Sequence, residues 1–228
     1  MEGVKRELSI RKEEADSLLN FLKSLESGAV EGSTAIERRT TVQTSIKAGI
    51  VLMLYNAVES TITKSLERLH EIIIDKELAF SDCNDSLKKL LVVYYENAKA
   101  KSSDIHKQVP FILELNNYLG NNGNFSLSYS DLAKYYTLYS GNLDSKEIQA
   151  VLNKYGITFE ERATELQTIK NMRNKLAHGE STFEEIGRDL SIQQLEHMQS
   201  RTFEYLEKTI ITIEEYLQTE KFINAVPR

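Results

Sequence analysis

The chain has 228 residues, with 28 lysines and arginines against 34 aspartates and glutamates, so its formal net charge is −6 with neutral histidines. It contains only 10 glycines and 2 prolines, whereas a β-sandwich or β-barrel of this length would need many turns formed by these residues. The composition therefore counts against an all-β fold and favours a helical one. The acidic balance gives no ground for nucleic-acid binding through overall charge, so any such binding would need a local basic site.

Apolar residues recur at intervals of three and four along most of the chain, a period that predicts α-helices. Pro110 suits the first turn of a helix, residues 120–124 (GNNGN) indicate a turn, and Gly179 is expected to end a helix. In chain order, the predicted helices cover residues 4–25, 41–78, 87–100, 110–119, 130–139, 145–155, 159–178 and 192–222.

The four longest predicted helices lie on either side of a less regular middle region. We therefore predict an all-α fold, a helical bundle of four long helices with a helical and irregular insertion at residues 81–156. Residues 1–228 are expected to form a single domain.

The single cysteine, Cys83, cannot form an internal disulfide, which fits a reducing compartment. The first residues have no apolar core of the kind found in secretory signals. The most apolar stretch, residues 50–58, is far shorter than the roughly 20 residues of a membrane span. We expect a soluble, cytoplasmic protein without membrane association.

Helical geometry sets one segment apart, the sequence RNKLAHGE at residues 173–180. With about 100° of rotation per residue, Arg173 lies at the centre of an apolar stripe, and Asn174 and His178 lie one turn apart on its flank. The stripe consists of Phe159, Ala163, Leu166, Ile169, Met172, Leu176 and Ala177.

A guanidinium at the centre of an apolar stripe is costly unless it is paired or faces a cavity. Either Arg173 reaches water at the helix end and buries only its stem, or this end of the stripe faces a partner or a phosphate-holding cleft. On one helix, Arg173 and His178 are about 7.5 Å apart in rise and about 140° apart in rotation. A compact site made from both is easier to build from two chains, so the spacing indicates a homodimer.

The segment resembles the signature of the HEPN superfamily (higher eukaryote and prokaryote nucleotide-binding). In that signature an arginine, often followed by an asparagine, precedes a histidine by four to six residues near a helix end. Here four residues separate Arg173 from His178, and Asn174 follows the arginine. The helical bundle, with the motif late in the chain and one long helix after it, also resembles the family, whereas the resemblance does not extend to residues 81–156.

The resemblance implies a metal-independent endoribonuclease, as in bacterial toxin–antitoxin and anti-phage defence systems, in which two protomers line one cleft. The RNA 2′-hydroxyl would attack the neighbouring phosphorus and leave a 2′,3′-cyclic phosphate. Arg173 would bind the phosphate, His178 would transfer a proton, and Asn174 would bind the ligand or orient the imidazole. Lys175 and Glu59 are candidates for substrate binding, Glu59 as a partner of Arg173. The implied partners are RNA, a second copy of the chain, and a cognate antitoxin or defence-system protein.

The sequence has no recognisable set of metal ligands, because it lacks an H-E-x-x-H motif and a cysteine pair and its four histidines are far apart. We therefore expect no metal and no cofactor. Two alternatives to a nuclease stay open. One is a non-catalytic HEPN-like module that binds RNA, a nucleotide or another protein, and the other is an antitoxin or immunity partner in which the motif is coincidental.

Overall fold

The computed structural model describes residues 1–27, 36–99, 105–120, 123–139 and 141–224. Within these ranges the chain forms nine α-helices and no β-strand, which confirms the predicted all-α class. A 3₁₀ turn, Phe80–Asp82, lies between the second and third helices. The helices are α1 (Glu2–Glu26), α2 (Ile36–Asp75), α3 (Asp85–Lys99), α4 (Ile105–Gly120), α5 (Tyr129–Tyr135), α6 (Ser145–Lys154), α7 (Thr164–Ala177), α8 (Phe183–Arg188) and α9 (Ile192–Gln218).

Two predicted helix starts were wrong, and one short helix was missed. Helix α4 begins at Ile105, so Pro110 lies inside the helix rather than in its first turn, and the helix continues through it with one backbone hydrogen bond fewer. Helix α7 begins at Thr164 instead of residue 159, because Ala163 has an extended backbone (φ −137°, ψ 102°) and acts as the N-cap. Helix α8 was not predicted at all.

Inter-residue contacts divide the chain into two compact units. The first comprises Met1–Ile62, Gly141–Lys146 and Glu161–Ile210, and the second comprises Thr63–Ser140, Glu147–Glu160 and Ile211–Arg228. The expectation of a single domain with an insertion at residues 81–156 stays a prediction. Among the described residues, no helix combines the length and the apolar character that a membrane crossing requires.

The first unit is built on apolar side chains from its long helices. Side chains that are at most 1% exposed come from α1, α2, α7 and α9: Leu22, Ile50, Leu54, Leu166, Ile169, Leu195, Phe203 and Leu206. Burial of this apolar surface is the main stabilising contribution to the unit.

Helix α8 packs against α2 at a glycine. A Cβ atom on Gly187 would lie 1.9 Å from the carbonyl oxygen of Thr44, closer than any non-bonded pair can approach. The start of α8 is fixed by a capping box, in which the Thr182 hydroxyl accepts from the Glu185 N–H (3.2 Å) and the Glu185 carboxylate accepts from the Thr182 N–H (2.7 Å). The close approach and the cap together fix this six-residue helix.

The second unit contains a fully buried histidine, His70 of α2, that is 1% exposed. Its Nδ1 lies 2.7 Å from the Leu127 carbonyl oxygen and its Nε2 lies 2.9 Å from the Tyr155 hydroxyl. Because a carbonyl can only accept a hydrogen bond, Nδ1 carries the proton and Nε2 accepts from Tyr155. The ring packs edge-on against Tyr155 and Tyr129. Burial lowers the pKa of His70 to about 4, although the Leu127 carbonyl favours the charged form.

Candidate functional site

The last turn of α7 carries the sequence motif and ends where the sequence predicts. His178 is the C-cap, and Gly179 follows with φ +70°, a conformation that glycine adopts without strain. The Glu180 N–H donates to the Lys175 carbonyl (2.9 Å) and the Gly179 N–H donates to the Leu176 carbonyl (3.3 Å). These two bonds form a Schellman motif, so the predicted stop at Gly179 is confirmed.

Arg173 lies on a tyrosine ring that sequence reasoning did not single out. Its Cζ is 4.5 Å from the centre of the Tyr55 ring in α2. One terminal nitrogen is 3.8 Å from the Glu59 carboxylate, and the other donates to the Asn174 side-chain oxygen (3.0 Å). The side chains of Arg173 and Glu59 are each 30% exposed. The guanidinium is therefore paired and supported on one side while part of it stays accessible to solvent.

Tyr55 is itself held firmly. Its side chain is 1% exposed, its hydroxyl donates to the Gly141 carbonyl (2.6 Å), and it accepts from the Leu143 N–H (3.2 Å). Burial, followed by the neighbouring Glu59 carboxylate, raises the pKa of Tyr55 to about 12. The phenol is therefore neutral at physiological pH, and its ring attracts the guanidinium through its quadrupole.

The segment that holds Tyr55 is also tied to α7. Asp144 follows Leu143 and forms a salt bridge with Lys170, one turn before Arg173. The two side chains are 5% and 15% exposed, respectively. The second carboxylate oxygen of Asp144 accepts from the Lys146 N–H (2.9 Å). An ion pair this well shielded from water requires its full set of partners, because removing one would leave a buried charge.

His178 and Lys175 face solvent on the same helix end. Both side chains are exposed, and in the described part of the chain no hydrogen bond or ion pair joins His178 to Arg173. Asn174 points its side-chain oxygen to Arg173. Its backbone carbonyl accepts from the His178 N–H (3.0 Å), but in the same ranges its side chain makes no hydrogen bond to the imidazole. The structure thus brings Arg173, Asn174 and Glu59 together and leaves His178 apart from them within one chain.

Sequence reasoning missed Tyr55, Asp144 and Lys170. Tyr55 lies four residues before Glu59 in α2, so a tyrosine one turn from the suspected partner of Arg173 was an available signal. Residues 141–144 fall in an irregular stretch whose local pattern carries no signal. No group of three or more histidine, cysteine, aspartate or glutamate side chains in the described ranges could hold a metal ion.

The described chain is all-helical, and its segment from Arg173 to His178 lies at the end of a helix. A family model described as HEPN_MAE_28990-like HEPN matches residues 2–222, so the chain belongs to this HEPN family. Membership in this family supports the assignment of the chain to a superfamily of the nucleotide-binding or RNase type. Comparisons with curated proteins and with solved structures gave no match.

Proposed function

We propose that the protein is a metal-independent endoribonuclease of the HEPN toxin or defence type. The observation that carries this proposal is the state of Arg173, whose guanidinium is supported on the Tyr55 ring yet stays partly exposed. It lies on the helix whose C-cap is the exposed His178. A fixed, accessible guanidinium is suited to binding a phosphate through two parallel hydrogen bonds.

The residues support RNA cleavage by intramolecular transesterification. The 2′-oxygen attacks the adjacent phosphorus and gives up its proton, while the 5′-oxygen leaves and receives one, so the product is a 2′,3′-cyclic phosphate. Arg173 stabilises the charge on the phosphoryl oxygens, and His178 transfers a proton near neutral pH. Asn174 orients Arg173, Lys175 adds a positive charge for the RNA backbone, and Glu59 offsets part of the charge of Arg173.

A homodimer is part of the proposal. No hydrogen bond or ion pair joins Arg173 to His178 in the described chain, and their difference of five positions on one helix corresponds to about 140° of rotation. Two chains related by a twofold axis would place the Arg173 of one protomer beside the His178 of the other. Mixing Arg173→Ala and His178→Ala chains should then restore part of the activity lost in each. An active wild-type protein that stays monomeric at micromolar concentration in light scattering would overturn the dimer.

The first test is cleavage of RNA by the purified protein in excess EDTA. We expect cleavage, and we expect His178→Ala to reduce it by about 100-fold or more, the effect of losing a general acid or base. His197→Ala is the matched control, because His197 is an exposed histidine paired with Glu165 on α9 and α7 (3.0 Å). It should cleave as the wild type does. Activity that requires added magnesium or manganese would overturn the mechanism.

A non-catalytic RNA- or nucleotide-binding module is the second candidate, and a partner such as an antitoxin could then complete the site. The separation of His178 from Arg173 within one chain favours this second candidate, because a single chain then presents the anion-binding group without the proton-transfer group beside it. This candidate predicts an Arg173-dependent RNA affinity without any cleavage. The same EDTA assay, combined with an RNA-binding measurement, separates the two functions.

A further inference from the structure

We propose that Tyr55 is a positioning residue for Arg173, and that residues 141–144, named here the support segment, hold Tyr55 in place. The inference rests on the proposed function, since it assigns to Arg173 the binding of an RNA phosphate. Tyr55 is too buried to touch RNA itself, so its effect must pass through the guanidinium that lies on its ring.

Successive contacts connect α7 to Tyr55, Tyr55 to the support segment, and the support segment back to α7. Arg173 lies on the Tyr55 ring (4.5 Å). The Tyr55 hydroxyl binds the support segment through its donation to Gly141 (2.6 Å) and its acceptance from Leu143 (3.2 Å). The next residue of that segment, Asp144, returns to α7 through its salt bridge with Lys170.

Because these contacts return to the helix on which they begin, they restrict the relative positions of α2, α7 and the support segment. Arginine side chains are long and lose much rotamer freedom when they bind a ligand, and a guanidinium that is already ordered loses less. The ring of Tyr55 supplies a flat surface, and the two hydroxyl bonds prevent that surface from turning. Glu59 and Asn174 lie at the edge of the same guanidinium, so its accessible N–H groups have a defined direction before RNA arrives.

Tyr55 contributes a ring that supports Arg173 and a hydroxyl that binds the support segment. Substitution can separate these two contributions. Tyr55→Phe keeps the ring and removes both hydroxyl bonds, whereas Tyr55→Leu removes the ring as well. We expect RNA affinity to decrease in the order wild type, Tyr55→Phe, Tyr55→Leu. For the leucine variant, the loss should be about five- to thirtyfold, the range of a partly desolvated cation–π contact.

Affinity should be measured with a 2′-O-methyl oligonucleotide, which lacks the attacking hydroxyl and reports binding without cleavage. The decisive variant combines Tyr55→Leu with Arg173→Ala. If Tyr55 acts through Arg173, the double variant should bind no more weakly than Arg173→Ala alone. A merely structural role would instead add a further loss of affinity to that of Arg173→Ala.

A second readout does not depend on RNA. The ¹⁵N–¹H signal of the Arg173 Nε group should be sharp and slow to exchange in the wild type, and broadened in Tyr55→Leu. The matched control is Tyr216→Leu, because Tyr216 is also buried and its hydroxyl donates to the Tyr155 carbonyl (2.8 Å) within the second unit, without a bond to the support segment in the described ranges. That variant should lower the melting temperature and leave the Arg173 signal unchanged.

These outcomes distinguish the two proposals. An unchanged Arg173 signal in Tyr55→Leu, or a double variant that binds more weakly than both single variants, would overturn the positioning role. A wild-type protein that binds RNA through Arg173 but cleaves none would overturn the nuclease proposal and leave the positioning role standing.

Discussion

Acid should destabilise the protein through one histidine, His70. The folded protein holds this imidazole neutral, with its Nδ1 proton on the Leu127 carbonyl and its Nε2 accepting from Tyr155. The unfolded chain exposes the same imidazole to water and protonates it at the ordinary pKa of 6.5, whereas burial lowers the pKa in the fold to about 4. The unfolded state therefore binds the proton first as the pH falls, and the contribution of His70 to stability is lost on acidification.

The size of this effect follows from the two pKa values. Each unit of difference between the folded-state and unfolded-state pKa corresponds to about 1.4 kcal/mol of unfolding free energy. The contribution of neutral His70 is complete above pH 6.5 and decreases by about 2 kcal/mol on going to pH 5. The total decrease is about 3 kcal/mol once the pH reaches the pKa of His70 in the folded protein, about 4. This is a large part of the 5–15 kcal/mol typical of folded proteins.

The assay is urea denaturation followed by circular dichroism between pH 7.5 and pH 4.5 at constant ionic strength. His70→Gln removes the titrating group and retains an amide that can donate to Leu127. This variant should be less stable than the wild type at pH 7.5, and the difference should shrink by about 2–3 kcal/mol at pH 4.5. His178→Gln makes the same substitution at an exposed histidine and should retain the steep pH dependence of the wild type. A constant difference between wild type and His70→Gln at all pH values would refute the reasoning.

Two further predictions concern α8 and the motif. Gly187→Ala places a methyl group 1.9 Å from the Thr44 carbonyl oxygen, so it should destabilise the protein by about 1–3 kcal/mol or more. Gly49→Ala in α2 places its new methyl group with no atom within 4 Å apart from the adjacent backbone of its own helix and should instead stabilise by about 0.4–1 kcal/mol. Equal melting temperatures for the two variants would contradict the packing of α8. Arg173→Met removes a partly exposed ion pair and a ring contact and should change stability by only about 1 kcal/mol, whereas cleavage should be lost. A variant that melts much earlier but cleaves normally when folded would remove Arg173 from the site.

Periodicity and stop signals predicted the all-α class and the end of the motif helix, because both depend on residues close together in sequence. Gly179 defines the end of α7 through its own backbone conformation. The start of α7 was misplaced because Phe159 and Ala163 are buried with helical spacing but lie before the helix, outside regular structure. Helix α8 has only six residues, too few for a 3.6-residue period, although its Thr182 and Glu185 form a recognisable capping box.

The surroundings of Arg173 could be predicted only in part. An arginine in the middle of an apolar stripe indicated either a stem reaching water or a paired guanidinium, and Glu59 was a candidate partner. The structure places the Glu59 carboxylate 3.8 Å from the guanidinium. The support segment could not be found, since its bonds to Tyr55 join residues 86 and 88 positions apart. Such contacts depend on tertiary packing, about which the local pattern of residues 141–144 carries no information.

The central claim is that the 2′-hydroxyl of the RNA is the nucleophile and that Arg173 and His178 provide the catalytic groups. The most direct test compares two RNAs that differ only by one 2′-deoxy nucleotide on the 5′ side of the cleaved bond, in excess EDTA, with the product ends identified by mass spectrometry. We predict that the all-ribose RNA is cut to a 2′,3′-cyclic phosphate and a 5′-hydroxyl, and that the substituted RNA is not cut at that position. Cleavage of the 2′-deoxy position, or a 5′-phosphate on the product, would contradict the account.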